Sequence, residues 1–257
     1  MDEVANNEII GLAELLLAGQ DYLSQPAYYA TVENDEGIRG CAVQSLPESF
    51  FVSGLPNSAV VPLLQDRIEF GQPVKWATAE TKTAAAIADC WSNIFGGVWE
   101  EMNRWQVHQT SEINADAQCA TGLLRCATAN DSSCIEEWGE IFAVESPSPL
   151  DIPEFLLRKM NEGNLYFWDD NGPRSLCAIS GNAMSVVRIS AVFTPNEHRG
   201  KGYARACVAT LVSELLSAGH KRCMLLTDLA KPNLTKLYAS IGFMPHSQRM
   251  SVKLRRD

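Results

Sequence analysis

The chain has no apolar run approaching the roughly 18 residues that a membrane-spanning helix needs, so the sequence predicts no membrane segment. No CxxC pair occurs among its eight cysteines, at 41, 90, 119, 126, 134, 177, 207 and 223. That argues against zinc ribbons and thioredoxin-type chemistry, and no metal site is expected. It opens MDEVANNEII, acidic where a secretory leader would be basic. A cytoplasmic protein with buried, reduced thiols follows as the expectation. Two phosphate motifs are also missing. A Walker loop needs GxxxxGK[ST], yet Lys201 is followed by Gly202, and the third glycine of a GxGxxG fingerprint is absent. With 31 acidic against 21 basic side chains, the net charge of −10 excludes a general nucleic-acid binder.

What is present is ordinary globular composition: 257 residues, 46% hydrophobic and 20% charged. That length suits one to two domains with a full core. The charge is uneven. Residues 1–120 carry 17 acidic and 5 basic side chains, a net of −12, whereas residues 188–257 carry 12 basic and 4 acidic, a net of +8. An anionic ligand finds a favourable field only in the last quarter.

Periodicity and punctuation predict a helix over 8–18 ended by Gly19, a hairpin over 28–43 turning at 34–37, and a short strand at 50–52. A helix over 58–70, a strand at 74–79, an alanine-rich helix over 81–95 and a strand over 104–113 follow, with 114–120 as a linker. The second half reads as a strand at 123–127 and a helix capped by Asp131 and Ser132 that reaches about 144. A Pro-Ser-Pro break at 147–149 precedes a helix over 152–162 and a meander at 165–168, 175–180 and 185–194. The chain closes with a helix over 202–218, a strand at 222–227, a helix over 234–241 and a strand at 247–254. Along the 202–218 helix, Ala204, Val208, Leu211, Val212 and Leu215 hold helical spacing. Both halves repeat one order of elements. The mix of antiparallel meander and βαβ crossover implies a mixed α/β sheet, mostly antiparallel, with helices on both faces.

Chemistry concentrates in Ile189-Ser-Ala-Val-Phe-Thr-Pro-Asn-Glu-His-Arg-Gly-Lys-Gly-Tyr-Ala204. A strand runs into a loop with two glycines, and a long helix starts there. Missing Cβ atoms allow close backbone approach. The first helical turn offers unpaired N–H groups and the positive end of its dipole. This makes a seat for a phosphate or pyrophosphate, with Arg199 and Lys201 beside it.

The pattern R-G-x-G-x-A after V-F-T-P, followed by a strand and then L-Y-A-S-I-G-F, resembles the GCN5-related N-acetyltransferase (GNAT) superfamily. The likeness is specific over roughly 165–250, and the branch resembled carries a degenerate N-terminal half of the same topology. The resemblance implies tandem acyl-CoA N-acyltransferase-like folds, with a degenerate domain at 1–117 and an acetyl-CoA-binding domain at 118–257. It implies transfer of an acetyl group from acetyl-CoA to an amine of a small molecule or peptide. Arg199, Gly200, Lys201, Gly202, Tyr203 and Ala204 map onto the pyrophosphate-binding loop and helix start. Val192, Phe193 and Thr194 map onto the strand that pairs with the pantetheine arm. Tyr238 maps onto the tyrosine that protonates the departing thiolate.

The chain departs from the family at the asparagine seven residues before that tyrosine. Lys231 stands there, and Asn233 lies two residues away as the substitute contact. No glutamate occupies the strand before the loop, which carries Arg188, Ser190 and Val192. Glu140 and Glu145 are alternative bases, and His198 and His220 are lesser candidates; His108 and His246 show no partner in sequence. The first half's junction, Phe51-Val-Ser-Gly-Leu-Pro-Asn-Ser-Ala-Val-Val-Pro62, has one glycine and no basic residue, with Pro62 expected to interrupt the turn. It is not expected to bind CoA. Trp76, Trp91, Trp99 and Trp105 are expected in the core. A sensor that binds CoA without turnover and an interaction module are the alternative readings.

Overall fold

The computed structural model describes residues 2–17, 28–46, 49–71, 74–118, 120–146 and 150–255. The end of the predicted first helix at Ala18 and Gly19, Cys119 and the break at 147–149 lie outside them. In chain order the elements are α1 (Asn7–Leu17), β1 (Tyr28–Asn34), β2 (Gly37–Leu46), β3 (Ser49–Val52), α2 (Val60–Glu69), β4 (Trp76–Glu80), α3 (Thr81–Asn93) and β5 (Val98–Thr110). There follow β6 (Leu123–Cys126), α4 (Ser132–Glu145), α5 (Ile152–Asn161), β7 (Leu165–Asp169), β8 (Pro173–Ala183) and β9 (Val186–Phe193). Last come α6 (Tyr203–Ser217), β10 (Arg222–Asp228), α7 (Pro232–Ile241) and β11 (Met244–Arg255).

Two compact units result. One takes Met1–His108, Leu226–Pro232 and Pro245–Asp257; the other takes Gln109–Leu225 and Asn233–Met244.

In the first unit the strands lie in the order β1-β2-β3-β4-β11-β5. The β3–β4 pair is parallel, joined through α2, while β1–β2, β2–β3 and β4–β11 are antiparallel. Alternate residues of β4, Ala77 and Ala79, join Phe50, Val52, Leu64, Ile87 and Trp91 in one core, to which β11 adds Met250, Val252 and Leu254. Pro62 does not interrupt its turn. It sits in the first turn of α2, where the missing N–H has no helical partner to lose. Strand β5 starts six residues before its predicted beginning. Its segment from Val98 to Asn103 is exposed on both faces and so lacks the alternation that marks a strand. Of the four tryptophans expected in the core, only Trp91 is buried; Trp105 is half-buried, Trp76 lies under Lys253 Nζ, 5.0 Å from the ring centroid, and Trp99 is exposed.

In the second unit the order is β10-β9-β8-β7-β6. The β9–β10 pair is parallel, crossing over through α6, and the rest are antiparallel. Period-two alternation splits its core in two. Cys177 and Ile179 of β8 face α6 and α7 with Cys207, Leu211, Tyr238 and Phe243. Leu176 and Ala178 face α4 and α5 with Ile135, Trp138, Leu156 and Phe167. Helices thus cover both faces, as the sequence implied. Among the described cysteines, Cys90, Cys177, Cys207 and Cys223 are buried, but Cys126 is exposed.

The start of α4 differs from the expected cap. Thr128 and Asp131 form a capping box one turn earlier, with Thr128 N–H donating to Asp131 Oδ2 at 2.8 Å. Arg125 then grips Asp131 with Nη2 and Nη1 at 2.8 and 2.9 Å, and Asp169 with Nε at 2.7 Å. The Arg125 guanidinium is the main reason the Asp131 carboxyl is held down at about 2. A carboxyl depressed below its unfolded value stabilises the fold above about pH 4, and that contribution is lost as pH falls through about 2. Asp131→Asn is expected to cost about 1–2 kcal/mol at pH 7 and to flatten stability between pH 4 and 2. Urea unfolding at pH 7 and pH 3 measures both; an unchanged midpoint at pH 7 would refute the capping role.

Candidate functional site

The site is built where β9 ends and α6 begins, within the second unit. The register with β10 runs from Val186↔Arg222 to Arg188↔Met224. Beyond Arg188, β9 continues to Phe193 with no pairing to β10 among the described residues, so its backbone on that side is open to an extended ligand. On the other side, Ser190 pairs with Ala178 and Phe193 with Leu176. Three steps along β9 thus face two along β8, which is a bulge. Ala191 carries it at φ +49°. Left-handed backbone at a residue with a Cβ costs on the order of 1–3 kcal/mol and persists only where the surroundings dictate it. Here Ala191 and Phe193 pack toward the α4–α5 face and Val192 toward the α6 face. The bulge therefore turns the backbone of the last three residues relative to the strand before them. Nothing in the sequence signals it, because alanine rather than glycine holds the position.

The strand end is clamped. Fully buried Ser175 donates to Phe193 O at 2.9 Å and meets Thr194 Oγ1 at 2.9 Å. Arg199 Nε donates to Thr194 O at 2.8 Å, closing the loop on itself. Gly200 and Gly202 both take positive φ, +75° and +82°. Gly202 caps α6 without a side-chain bond, and among the described residues beyond its chain neighbours only Ala120 Cβ, at 3.9 Å, comes near a Cβ built there. The first-turn N–H groups of Tyr203 and Ala204 have no carbonyl one turn back, and the helix dipole points its positive end outward. This is an anion seat. The charges beside it are already engaged: Arg199 Nη2 donates to Glu145 Oε2 at 2.5 Å, and Lys201 Nζ to Glu197 O at 3.0 Å.

The remaining expected residues fall as follows. Tyr238 is buried in α7, edge-on to Phe243 at 5.9 Å. The helix ends at Gly242, φ +123°, where a Cβ would meet Glu112 O at 2.8 Å, so the I-G-F turn needs glycine. Burial pushes the Tyr238 phenol up, and the adjacent Cys177 and Cys207 thiols add to it. The group is therefore protonated throughout the neutral range and suited to give a proton rather than take one. Those thiols touch at 3.4 Å. Asn233 is exposed in the first turn of α7, while Lys231 closes a turn through its N–H to Asp228 O.

Of the proposed bases, Glu145 is held by Arg199. Glu140 is exposed on α4. His198 Nε2 meets Arg174 Nη1 at 3.2 Å. His220 closes α6, its N–H on Leu215 O. His246 is paired to Asp2 at 2.9 Å. His108 is buried with Nε2 on Thr227 Oγ1 at 2.9 Å, and burial lowers its pKa. The Ser190 hydroxyl is buried on β9 without a partner among the described residues. No cluster of His, Cys, Asp or Glu able to hold a metal occurs among the described residues, and no helix there is long and apolar enough to cross a membrane.

The first unit is built differently at its matching junction. Gly54 has no positive φ, and the Glu80 carboxylate stands 3.1 Å from where its Cβ would lie. An acid occupies the neighbourhood where the second unit offers N–H groups.

Residues 133–243 match the model of the Acetyltransferase (GNAT) family, which as a class carries out acyl transfer. Among solved structures, a GCN5-related N-acetyltransferase from Kribbella flavida is similar at 12% identity and TM-score 0.62, over 98% of this chain and 94% of that one. A GCN5-related N-acetyltransferase from Sphaerobacter thermophilus shares 16% identity and TM-score 0.59, over 99% and 90%. A tandem GNAT protein from the clavulanic acid biosynthesis pathway shares 11% and 0.54, over 99% and 95%. At these identities the likeness is one of fold. A search of curated proteins found no match.

Proposed function

We propose, from the GNAT acetyltransferase domain at residues 133–243, that this protein transfers an acetyl group from acetyl-CoA to an amine of a small molecule or peptide. The observation that carries the reading is the left-handed pair Gly200 and Gly202 at the head of α6, set directly after a bulged, open-edged strand. The N–H groups of Gly200 to Ala204, with Arg199 and Lys201, would take the pyrophosphate. The open edge from Val192 to Thr194 would pair with the pantetheine amides and hold the thioester carbonyl against backbone N–H groups. Asn233 would contact the same arm from α7. The amine nitrogen attacks the thioester carbonyl carbon, the C–S bond breaks, and the thiolate takes its proton from Tyr238. The proton of the amine leaves to water. The net charge of +8 over 188–257 favours the polyanionic donor. The reaction would take place in the cytoplasm without metal, nucleic acid or membrane.

Acetyl-CoA at a hundredfold over its Kd stabilises a protein by about 2.7 kcal/mol. For a unit of this size that is a rise in Tm of about 5–10 °C. A thermal scan with acetyl-CoA, followed by CoA release against a panel of amines, tests the reading. No shift would remove every CoA-based reading. A shift without CoA release from any amine would favour a sensor that binds CoA without turnover.

A further inference from the structure

The start of α6 is fastened by a side-chain network that reaches from Tyr203 to segments outside the donor seat. Three segments meet there. Tyr203, the first residue of α6, turns its hydroxyl onto Asp170 Oδ2 at 2.9 Å, in the β7–β8 turn. The same oxygen accepts Thr121 Oγ1 at 2.8 Å from the segment before β6. That segment is pressed into place: Trp168 Nε1 donates to Thr121 O at 2.8 Å, and a Cβ on Gly122 would lie 2.4 Å from Asp169 O and 3.0 Å from Asp170 Cβ. Arg174 Nε holds Asp170 O at 2.9 Å while its Nη1 reaches His198 Nε2, whose ring stands edge-on to Tyr203 at 6.4 Å. The loop carrying Gly200 and Gly202 is thus tied at His198 and at Tyr203 to one turn.

A carboxylate is an odd choice for this place. It sets negative charge near a seat meant for anions, which weakens phosphate binding electrostatically. Its retention calls for a contribution that outweighs this. Both donors fall on one oxygen, so Asp170 sets the direction of the first α6 residue, and with it the N–H groups that follow. A hydrogen bond to a charged acceptor is about twice as strong as a neutral one, which suits a single atom holding two segments.

We propose that Asp170 is a positioning residue for the donor seat: it orients the first turn of α6 through Tyr203 so that the helix N–H groups meet the pyrophosphate. The proposal rests on the acetyl-CoA reading above. Asp170→Ala removes the hub and is expected to raise the Kd for CoA and the KM for acetyl-CoA about tenfold, with kcat changed by less than about twofold. Asp170→Asn keeps a carbonyl oxygen for both donors but loses the added strength of the charge, so its affinity is expected to fall between those of the native protein and Asp170→Ala. Tyr203→Phe should match Asp170→Ala, and the double variant should be no worse than either alone. Calorimetry with CoA and steady-state kinetics measure these, and the Tyr203→Phe arm carries the test if Asp170→Ala does not fold. Failure of the native protein to bind CoA would refute the donor reading. A native protein that binds CoA, with Tyr203→Phe or Asp170→Ala binding equally well, would refute the positioning role alone. So would Asp170→Asn as weak as Asp170→Ala.

Discussion

Tyr238→Phe is expected to lower kcat for acetyl transfer about 100-fold while leaving the Kd for CoA within about twofold. The ring stays packed on Phe243, so the variant loses an oxygen and not a shape. What disappears is the proton donor for a departing thiolate, a contribution of general-acid type worth about 10²-fold. The surroundings of the phenol support the role. It is buried, and the fully buried thiols Cys177 and Cys207 lie beside it. An environment that disfavours phenolate keeps the phenol protonated across the neutral range, so a proton is in place when the thiolate leaves. The sign also fixes the pH behaviour. Tyr238 itself contributes no ionisation below pH 10, so activity should not fall in the neutral range on its account. A variant turning over at the native rate would remove Tyr238 from the reaction.

The second large effect is at Gly202. Gly202→Asp is expected to weaken acetyl-CoA binding about 100-fold or more, read by calorimetry and by loss of the thermal shift. Gly202 caps α6 in left-handed geometry, with space around the place of its missing Cβ. Room therefore exists for a side chain, and aspartate tolerates this backbone better than most residues. The penalty falls on the ligand instead of the fold. A carboxylate there meets the helix N–H groups first and repels phosphate. Gly202→Ala, which adds bulk without charge, should cost less affinity than Gly202→Asp. Equal binding by Gly202→Asp and the native protein would place the anion elsewhere.

Much of this was legible in the sequence, for identifiable reasons. The hairpin at 28–43 announced itself by turn residues between apolar runs, and α6 by five apolar positions at helical spacing. The glycine pair was legible because glycine takes such backbone without strain. Other features were not. Ala191 carries left-handed backbone with no glycine to mark it. The Thr128–Asp131 box is not legible because its second member is aspartate where glutamate or glutamine is usual. The grip of Glu145 on Arg199 and the role of Asp170 depend on segments far apart in sequence; Asp170 alone reads as an ordinary turn residue. Nor does the alternation of β11 say which sheet it will join.

That last strand has a consequence for how the protein is made. Thr78 Oγ1 donates to Ser251 Oγ across 173 residues, and β11 contributes Met250, Val252 and Leu254 to the core of the first unit. On the ribosome, β1 to β4 emerge before this strand, which is translated only after all the segments between them. Every segment of the second unit is synthesised before β11 is complete. The first unit thus depends on a strand made after every segment of the second, and until that strand joins, its core is incomplete and open to aggregation.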